Sequence, residues 1–481
     1  MAPERDELER RRRRRAALEK KKRLEQQRLR RKLLLAAGVL ALAVVIILGV
    51  TSGKGEHTDP SLPEGMTGPV FTEPPTEEAA TAPPDTPTTT IRIKAAGDLN
   101  VTDLVVASGR TSYGDDYFDF TQAFLDVAHV MADADLTVMN FEGNLVGPPY
   151  GTQNASAPQQ LVEALDAMGV DILQMANSYS IYNGIIGLNQ TLNNIRAAGI
   201  EPVGAYGSNQ EFEKSRGYTI CEVQGIKVAV VAFTKGMSNM GLPEGSEKCV
   251  NKLFIDYESE YRKVDTEGIR SILKAAASEK PDLTIAMLHW GAEYNDDVFK
   301  NQEEITKLMF KEGVDIILGT HPHTVHEITH DEENNTLVAY SLGDFFGDGI
   351  KGGTNYSVIL DISVTRDNET GVTKIDGFET IPIFTLSEKQ GNGQRRVVRI
   401  DEAMAAYDVN FVERVTKEAY DAMTTSLERI EQRIATPRTV ECPKCGKDLE
   451  ILVNKQGKLV SEKTCTCGEV LEADSNYSDY D

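Results

Sequence analysis

The feature that most constrains this chain is a series of short apolar runs, most of which end in Gly, Asn, Asp or His. From residue 91 onward they read IRIKAAGD, DLTVMNFE, VDILQMANS, KVAVVAFT, DLTIAMLHWG, VDIILGTHPH and TLVAYSLGD. Helical patterns over 158–168, 186–198, 265–279 and 301–312 separate several of these runs. Strands that alternate with helices predict an α/β fold. Polar residues just past the strand ends predict a functional site along the carboxyl edge of the sheet.

The charge of the chain is strongly uneven. Lys and Arg number 51 against 74 Asp and Glu, which gives a net charge of −23. Residues 1–32 carry +9, so the remainder carries −32. So acidic a body repels phosphate backbones, and the charge therefore excludes nucleic acid as a partner.

The N-terminal part predicts a membrane anchor. Residues 33–50 form an uncharged, mostly apolar run of 18 residues, which spans roughly 27 Å as a helix. The basic segment 1–32 before it indicates a signal anchor with a cytoplasmic N-terminus and the rest of the chain outside. A cleaved signal peptide is the alternative. The basic segment itself either forms a helix along the inner leaflet or is a solvated tail that only sets topology.

Changes in composition and in hydrophobic pattern divide the rest of the chain into further segments. Residues 51–90 hold eight of the 19 prolines and predict an extended stalk. The α/β domain is assigned to 91–400, a helical segment to 401–438, a cysteine module to 439–470 and a disordered acidic tail to 471–481. Within the helical segment, 408–434 predicts one long amphipathic helix closed by Pro437.

Metal-ligand side chains follow the predicted strands. Asp98 follows the first strand, Asn140 and Glu142 the second, and Asn177 the third; His289 and the sequence His321-Pro322-His323 end later strands. Carboxylates, amide oxygens and imidazoles at one sheet edge predict a divalent-metal site for Zn, Mn or Fe. Taken singly, Asp98 has an alternative role as a helix cap, Glu142 as a solvent-facing residue and His289 as a core residue. His326 and His330 are interpreted as surface residues.

Several motifs resemble those of a known family. They are AAGD (95–98), NFEG (140–143), GLNQTL (187–192), HWGAEY (289–294), GTHPHTVHE (319–327) and YSLGDF (340–345). In this order they resemble the CapA/PgsA family of capsule-synthesis proteins, which have a calcineurin-like metallophosphatase fold. The resemblance implies an α-β-β-α sandwich with a metal site at the strand ends. It also implies a role in making, exporting or anchoring poly-γ-glutamate or a similar surface polymer.

One segment departs from the family pattern. Where the family reads A-N-N-H-x-x-D-x-G, residues 176–184 read ANSYSIYNG, so Ser178 and Tyr179 replace the Asn and His. By the resemblance, that Asn ligates metal and that His protonates the leaving group. A tyrosine, with a pKa of ~10, is a poor substitute near neutrality. Asp344 also stands where the family has Asn.

The resemblance therefore implies a site without fixing its chemistry. A mononuclear metal site remains open, with Asp98, Glu142, His289, His321 and His323 as its ligands. Tyr179 is the catalytic candidate at the family His position. The other predicted site residues are Asn140, Asn177, Ser178, Glu293 and Asp344.

The cysteines near the C-terminus form a second motif. Cys442-Pro-Lys-Cys445-Gly and Cys465-Thr-Cys467-Gly are separated by 19 residues and predict a zinc ribbon with four thiolate ligands. Two disulfides are the alternative, because the module is expected outside the membrane. Cys221 and Cys249 are either buried thiols or a pair.

These features together predict a single-pass, outward-facing accessory protein of anionic-polymer capsule synthesis. Its expected partners are the polymer, membrane-bound synthesis or export proteins and the lipid bilayer. No GxxxxGK[ST] sequence occurs in the chain, so any ATP-dependent ligase is expected to be a separate protein. The alternatives are a metal-dependent hydrolase of a phosphoester or of the polymer, and a non-catalytic interaction protein.

Overall fold

The computed structural model describes residues 87–112, 117–409, 415–453, 459, 462–472, 475 and 477. The predicted basic segment, apolar run 33–50 and nearly all of the stalk lie outside these residues. No helix in the described part of the chain is long and apolar enough to cross a membrane.

The α/β domain contains most of the regular structure. Its strands in chain order are β1 (Thr88–Asn100), β2 (Leu136–Glu142), β3 (Ile172–Gln174), β4 (Glu201–Val203), β5 (Tyr218–Val223), β6 (Ile226–Thr234), β7 (Leu283–His289), β8 (Ile316–Thr320), β9 (Ile328–Asp331), β10 (Thr336–Ala339), β11 (Asp344–Phe346), β12 (Tyr356–Asp367), β13 (Thr373–Leu386) and β14 (Arg396–Arg399). Its helices are α1 (Asp103–Ser108), α2 (Thr121–Ala132), α3 (Gln159–Met168), α4 (Gly184–Ala198), α5 (Asn209–Ser215), α6 (Thr266–Ala277), α7 (Lys300–Lys311), α8 (Ile400–Asp408) and α9 (Lys417–Ile434).

The strands form two mixed sheets. The first has the order β14-β13-β12-β1-β2-β3-β4, with β11 paired to β1, and the second has the order β5-β6-β7-β8-β10-β9. In β6, Val228, Val230 and Ala232 join the apolar core that also contains the first sheet, while Val231 and Phe233 join a separate cluster. Because side chains alternate along a strand, the second sheet is buried on both faces.

Helices cover the outer face of the second sheet. Helix α6 contributes Ile269 and Leu273 to the outer cluster, and α7 contributes Ile305 and Met309. Helices α2, α3 and α4 pack their apolar residues into the larger core with the first sheet. The predicted α/β class with two sheets between helices is therefore confirmed.

The predicted helix boundaries agree closely except near the C-terminus. Helices α3, α4, α6 and α7 lie within two residues of the predictions at each end. The single helix predicted over 408–434 is wrong, because α8 ends at Asp408 and α9 begins only at Lys417. The Thr416 side chain accepts a hydrogen bond from the Ala419 N–H at 3.2 Å and so caps a new helix start. Strand β1 also begins at Thr88, three residues before the predicted start of the α/β domain at residue 91.

The cysteine module has its own small core. Strands β15 (Thr436–Glu441) and β16 (Asp448–Val453) form an antiparallel hairpin, and β17 (Lys463–Thr464) pairs with β18 (Val470–Leu471). Val440, Ile451 and Val453 pack with Leu459 and Leu471 in a separate apolar cluster. Pro437 lies inside β15, three residues after the end of α9.

Candidate metal centre

The carboxyl ends of four parallel strands create the site. Strand β1 pairs in parallel with β2 and with β11, which aligns Asp98 with Asn140 on one side and with Asp344 on the other. Strand β7 pairs in parallel with β8, which aligns His289 with Thr320. Asp98, Asn140, Glu142 and His289 lie in the last residues of their strands rather than after them, and Asp344 is the first residue of β11. Their side chains come together at this edge, as do those of the loop after β8.

Buried carboxylates form one side of this cluster. Asp98 accepts hydrogen bonds from Asn140 Nδ2 at 2.6 Å and from the His321 N–H at 3.0 Å, and Asn140 Nδ2 also lies 3.3 Å from Glu142 Oε1. Asp98 is fully buried and Glu142 is 1% exposed. Burial raises the pKa of Asp98 to about 6 and raises that of Glu142 well above its ordinary value. A bound cation would relieve this cost of burying negative charge.

His321 and His323 occupy an unusual backbone conformation. Their φ angles are 92° and 61°, in the left-handed region that non-glycine residues rarely adopt. The imidazoles of both residues lie near the carboxylates of the cluster. His323 Nδ1 lies 2.7 Å from Asp344 Oδ1, and its Nε2 lies 3.8 Å from Glu142 Oε2. Burial opposes a charge on His323, but the carboxylates of Asp344, Glu142 and Asp98 outweigh it and raise the pKa.

His321 contributes two unsatisfied nitrogens. The side chain is 3% exposed, yet neither Nδ1 nor Nε2 has a hydrogen-bond partner among the described residues. Its ring centroid lies 4.4 Å from that of His289. Burial lowers the pKa of His321, and a neutral imidazole with a free nitrogen is a metal ligand. A buried polar group without a partner costs free energy, which a bound cation would offset.

Ser178 fixes the protonation of His289. The Ser178 N–H donates to His289 Nε2 at 3.1 Å, and Ser178 Oγ lies 3.0 Å from the same nitrogen. A backbone N–H can only donate, so Nε2 carries no proton and Nδ1 holds it in the neutral ring. His289 Nδ1 lies 3.2 Å from Glu142 Oε1, to which it donates. The Ser that replaces the family Asn thus orients a histidine of the cluster.

Asn177 and Tyr179 form the loop that closes the site. Asn177 Nδ2 donates to Asn140 Oδ1 at 3.1 Å, and Asn177 Oδ1 accepts from the Tyr179 N–H at 3.0 Å. Tyr179 is half-buried, and burial together with the charges of Glu142 and Glu293 raises its pKa well above the usual value. Its phenol therefore keeps its proton near neutral pH and is a hydrogen-bond donor there.

The ligand atoms fall into overlapping groups that suit a divalent cation. Glu142, His289 and His321 place one ligand atom each within 4.8 Å of one another. The same holds for Asp98, His323 and Asp344, and for Glu293, His321 and His323. The mixed oxygen and nitrogen donors, and the free nitrogens of His321, fit such an ion.

The cysteine module holds a second cluster. Its four sulfurs lie within 4.8 Å of one another. Cys442 Sγ is 3.6 Å from Cys467 Sγ, and Cys445 Sγ is 3.6 Å from Cys465 Sγ. A disulfide needs about 2.05 Å, whereas ligands about 2.3 Å from a tetrahedral metal lie roughly 3.8 Å apart. The separations match the predicted four-thiolate arrangement, and the two-disulfide alternative is not what the structure contains. Cys221 and Cys249 are also free thiols.

Sequence reasoning missed some residues near the centre. Lys235 N–H donates to the His289 carbonyl at 2.8 Å, and the Tyr294 ring stacks on His323 with centroids 5.4 Å apart. Lys235 directly follows strand β6, so its position after a strand end was an available signal. The interpretation of His326 as a surface residue is wrong, because it is 2% exposed and its Nε2 lies 2.7 Å from the Asn295 carbonyl oxygen. His330 lies on β9 and is partly buried.

The fold and the site together define an α/β protein with two packed sheets and a candidate metal centre at their strand ends. The model of the family described as bacterial capsule synthesis protein PGA_cap matches residues 92–348. The chain belongs to this family, as the resemblance predicted. The matched region contains every carboxylate and histidine of the centre.

Two curated relatives carry corresponding names. The chain is 29% identical over 248 residues to the PGA biosynthesis protein CapA of Bacillus subtilis, a match that covers 50% of this chain and 59% of the relative. It is 26% identical over 272 residues to the capsule biosynthesis protein CapA of Bacillus anthracis, covering 55% and 61%. The chain thus spans about 60% of the length of these relatives.

Solved structures give more distant likenesses. The calcineurin-like phosphoesterase YfkN of Bacillus subtilis has a TM-score of 0.36 at 16% identity and covers 72% of this chain and 98% of its own. A phosphatase from Mycoplasma pneumoniae has a TM-score of 0.38 at 14% identity and covers 62% and 94%.

Proposed function

We propose that this protein is a membrane-anchored, extracytoplasmic accessory protein of capsule synthesis, acting on poly-γ-glutamate or a similar anionic polymer. The family match over 92–348 carries this proposal, because it includes the whole candidate centre. Residues 33–50 are the proposed anchor, with residues 1–32 in the cytoplasm. The proposed partners are the polymer, the bilayer and membrane-bound synthesis or export proteins.

The α/β domain is proposed to hold a divalent cation, Zn, Mn or Fe. Asp98, Glu142, His289, His321 and His323 are the proposed ligands. When bound, such an ion supplies Lewis-acid polarisation and a binding point for an anionic group. Asp344 orients His323 through Nδ1, which leaves Nε2 of that ring for an ion. The Ser178 N–H occupies His289 Nε2 and His289 Nδ1 carries the proton, so an ion held by His289 would displace either that N–H or that proton. A partner such as Asp344 sets the tautomer and direction of a histidine ligand.

The identities of residues 178 and 179 favour binding over hydrolysis. Tyr179 lies where the family has a histidine, and its raised pKa makes the phenol a weak acid for a leaving group. We therefore place this protein among polymer-handling accessory proteins rather than phosphoesterases. The buried carboxylates Asp98 and Glu142, together with the buried His289, His321 and His323, support metal-dependent hydrolysis as the second candidate function.

The cysteine module is proposed to be a zinc ribbon. Its four sulfurs lie within 4.8 Å of one another, and glycines follow both knuckles at 446 and 468 with φ of 68° and 86°. The module has only a small apolar core, so a bound zinc would supply much of its folding free energy.

Two double variants test both metal sites and serve as controls for each other. His321→Ala with His323→Ala removes two of the five proposed ligands of the centre. We expect its metal affinity to fall more than about 100-fold, since even indirect changes cost 10–100-fold. Cys442→Ser with Cys445→Ser should instead remove one zinc and leave the centre loaded. Elemental analysis of the purified full chain measures both.

The same variants, expressed in a capsule-forming strain that lacks the wild-type protein, test the function. The histidine double variant should fail to restore surface polymer at wild-type protein levels. Normal polymer with this variant would contradict a role for the centre in capsule synthesis. Unchanged metal content in it would show that His321 and His323 are not ligands.

A further inference from the structure

A small cavity lies at the carboxyl end of strand β7, the strand that supplies His289 to the candidate metal centre. It has a volume of about 260 Å³ and is lined by Lys235, Phe254, Tyr261, Trp290, Phe299 and Gln302, among others. Trp290 directly follows His289, and the Lys235 N–H is hydrogen-bonded to the His289 carbonyl. The cavity therefore shares its wall with the strand end that supplies a proposed ligand.

Gln302 brings an unsatisfied donor to this cavity. The residue is 1% exposed, and its Oε1 accepts a hydrogen bond from the Phe299 N–H at 3.0 Å. Since that backbone group can only donate, the amide orientation is fixed and Nε2 is the remaining atom. Nε2 is buried and has no partner within the described part of the chain. A buried amide donor without an acceptor is costly, so Nε2 indicates a ligand with an acceptor atom.

Positive charge accompanies this donor. Lys235 Nζ donates to the Gly291 carbonyl at 2.9 Å and lies 5.0 Å from the centre of the Tyr261 ring. An ammonium has three hydrogens, so two remain for a ligand. Residues 301 and 302 belong to the first turn of α7, and the positive end of the helix dipole there favours an anion. Of the cavity's lining residues, Glu260 carries the opposing charge, and its side chain is exposed.

The other lining groups restrict the class of anion further. Phe254, Tyr261, Trp290 and Phe299 give aromatic walls that suit methylene groups. Asn301 also lines the cavity, and its buried Oδ1 is an unpartnered acceptor that suits an amide N–H. The volume is below the usual range for drug-sized ligands, which indicates a single small unit.

We propose that this cavity binds one carboxylate-bearing acyl unit, such as a glutamyl unit of an anionic polymer, next to the metal centre. The carboxylate is received by Gln302 Nε2 and Lys235 Nζ, and the methylene groups lie against the aromatic walls. This inference rests on the proposed function and names the polymer unit that the site recognises.

Trp290 offers a direct measurement, because it is the only tryptophan in the chain. The detergent-solubilised full chain is titrated with γ-glutamylglutamate while Trp290 fluorescence is followed. A saturable change is expected. Glutaramide is neutral and similar in length to one unit. It should bind at least about tenfold more weakly, because it has no carboxylate to form an ion pair with Lys235.

Substitutions at the cavity sharpen the test. Gln302→Glu keeps an oxygen for the Phe299 N–H but replaces the donor by a carboxylate oxygen, and it should weaken dipeptide binding more than tenfold. Lys235→Gln removes the charge and should weaken binding in the same direction, which covers the case that Gln302→Glu does not fold. Gln210→Glu, the same change on the exposed face of α5, should bind like the wild type.

Several outcomes would overturn the inference. They are the absence of a saturable fluorescence change, equal binding of dipeptide and glutaramide, and wild-type binding by folded Gln302→Glu and Lys235→Gln variants. If the titration shows no binding but the histidine double variant loses surface polymer, the cavity is not a binding site and the proposed function is still supported. Normal polymer in that variant, with intact dipeptide binding, would remove the function and leave the cavity as an anion site.

Discussion

Tyr179 is the residue on which the choice between polymer handling and hydrolysis depends. Its ring lies near Tyr182, with centroids 5.7 Å apart, and its raised pKa follows from burial and from Glu142 and Glu293. A positioned imidazole contributes about 10²–10⁴ to the rate of leaving-group protonation. At the position where the resemblance places this acid the chain has Tyr179, with the carboxylates and histidines of the centre around it.

We expect little phosphodiesterase activity from the wild-type chain with any divalent metal. Ser178→Asn together with Tyr179→His should raise the hydrolysis rate of a nitrophenyl phosphodiester at least about tenfold, because it restores an imidazole at this position. The same pair in an Asp98→Ala background is the control and should show no gain. A high wild-type rate that Asp98→Ala abolishes would favour the hydrolase instead.

Asp315, outside the centre, couples stability to pH. Its Oδ2 accepts a hydrogen bond from the Thr284 N–H at 2.7 Å, and burial raises its pKa to about 6. The folded state therefore holds this proton more tightly than the unfolded chain, where the pKa is about 3.9. The resulting stabilisation is complete below pH ~4 and is lost as the pH rises through 6.

Asp315→Asn keeps an amide oxygen for Thr284 and has no proton to lose. The wild type loses the stabilisation from Asp315 between pH 4 and pH 7.5, and the variant does not. The difference in free energy of unfolding, variant minus wild type, should therefore increase by about 1–3 kcal/mol over this range. Urea unfolding at both pH values measures this difference. Asp376→Asn, at an exposed strand position, is the control. Parallel behaviour of Asp315→Asn and wild type would show that the carboxyl titrates normally.

At the scale of the elements, the close approach of β1 to the segment before β11 sets the geometry of the carboxylates. The Asp98 N–H donates to the Gly343 carbonyl at 2.9 Å, and Asp98 aligns with Asp344. A Cβ on Gly97 would overlap the Gly343 carbonyl oxygen. Only glycine at position 97 allows this approach, and the neighbouring Asp98 depends on it.

Gly97→Ala should therefore destabilise the domain by roughly 3 kcal/mol or more, because two backbones must separate. It should also weaken metal binding, since Asp98 moves away from Asp344. Denaturant unfolding and metal titration measure the two effects. Gly352→Ala is a matched control, because a Cβ there meets no atom within 4 Å; its effect should stay below about 0.5 kcal/mol. Equal stability of both variants would contradict this account.

The elements and the site were predictable from the sequence to different degrees. Strand ends and helices followed from apolar periodicity, so the meeting of Asp98, Glu142 and the histidines could be predicted. The start of α9 could not, because a single cap at Thr416 interrupts a continuous amphipathic pattern. The positive φ of His321 and the proton position on His289 depend on contacts between distant segments, which periodicity does not report. The donor of Gln302 was missed for the same reason.

At the scale of the whole molecule, charge and apolar length make a prediction about orientation. The +9 segment before residues 33–50 should remain in the cytoplasm, and the acidic remainder should lie outside. Protease added to intact cells should remove an epitope placed after residue 90 and spare one at the N-terminus. An epitope tag on a cytoplasmic protein is the control for cell integrity. The reverse pattern would contradict the outward-facing topology.

The proposed metal ligands are far apart along the chain, from Asp98 to His323, and they lie on both sheets. No short segment carries the centre, so it is complete only after both sheets have packed. Capture of the proposed ion would then be one of the last steps of maturation, and that ion would be drawn from the compartment in which folding ends. The affinities of such a site for different divalent metal ions follow an order that depends on the ion more than on the protein. The local supply of ions would therefore decide which ion this centre carries.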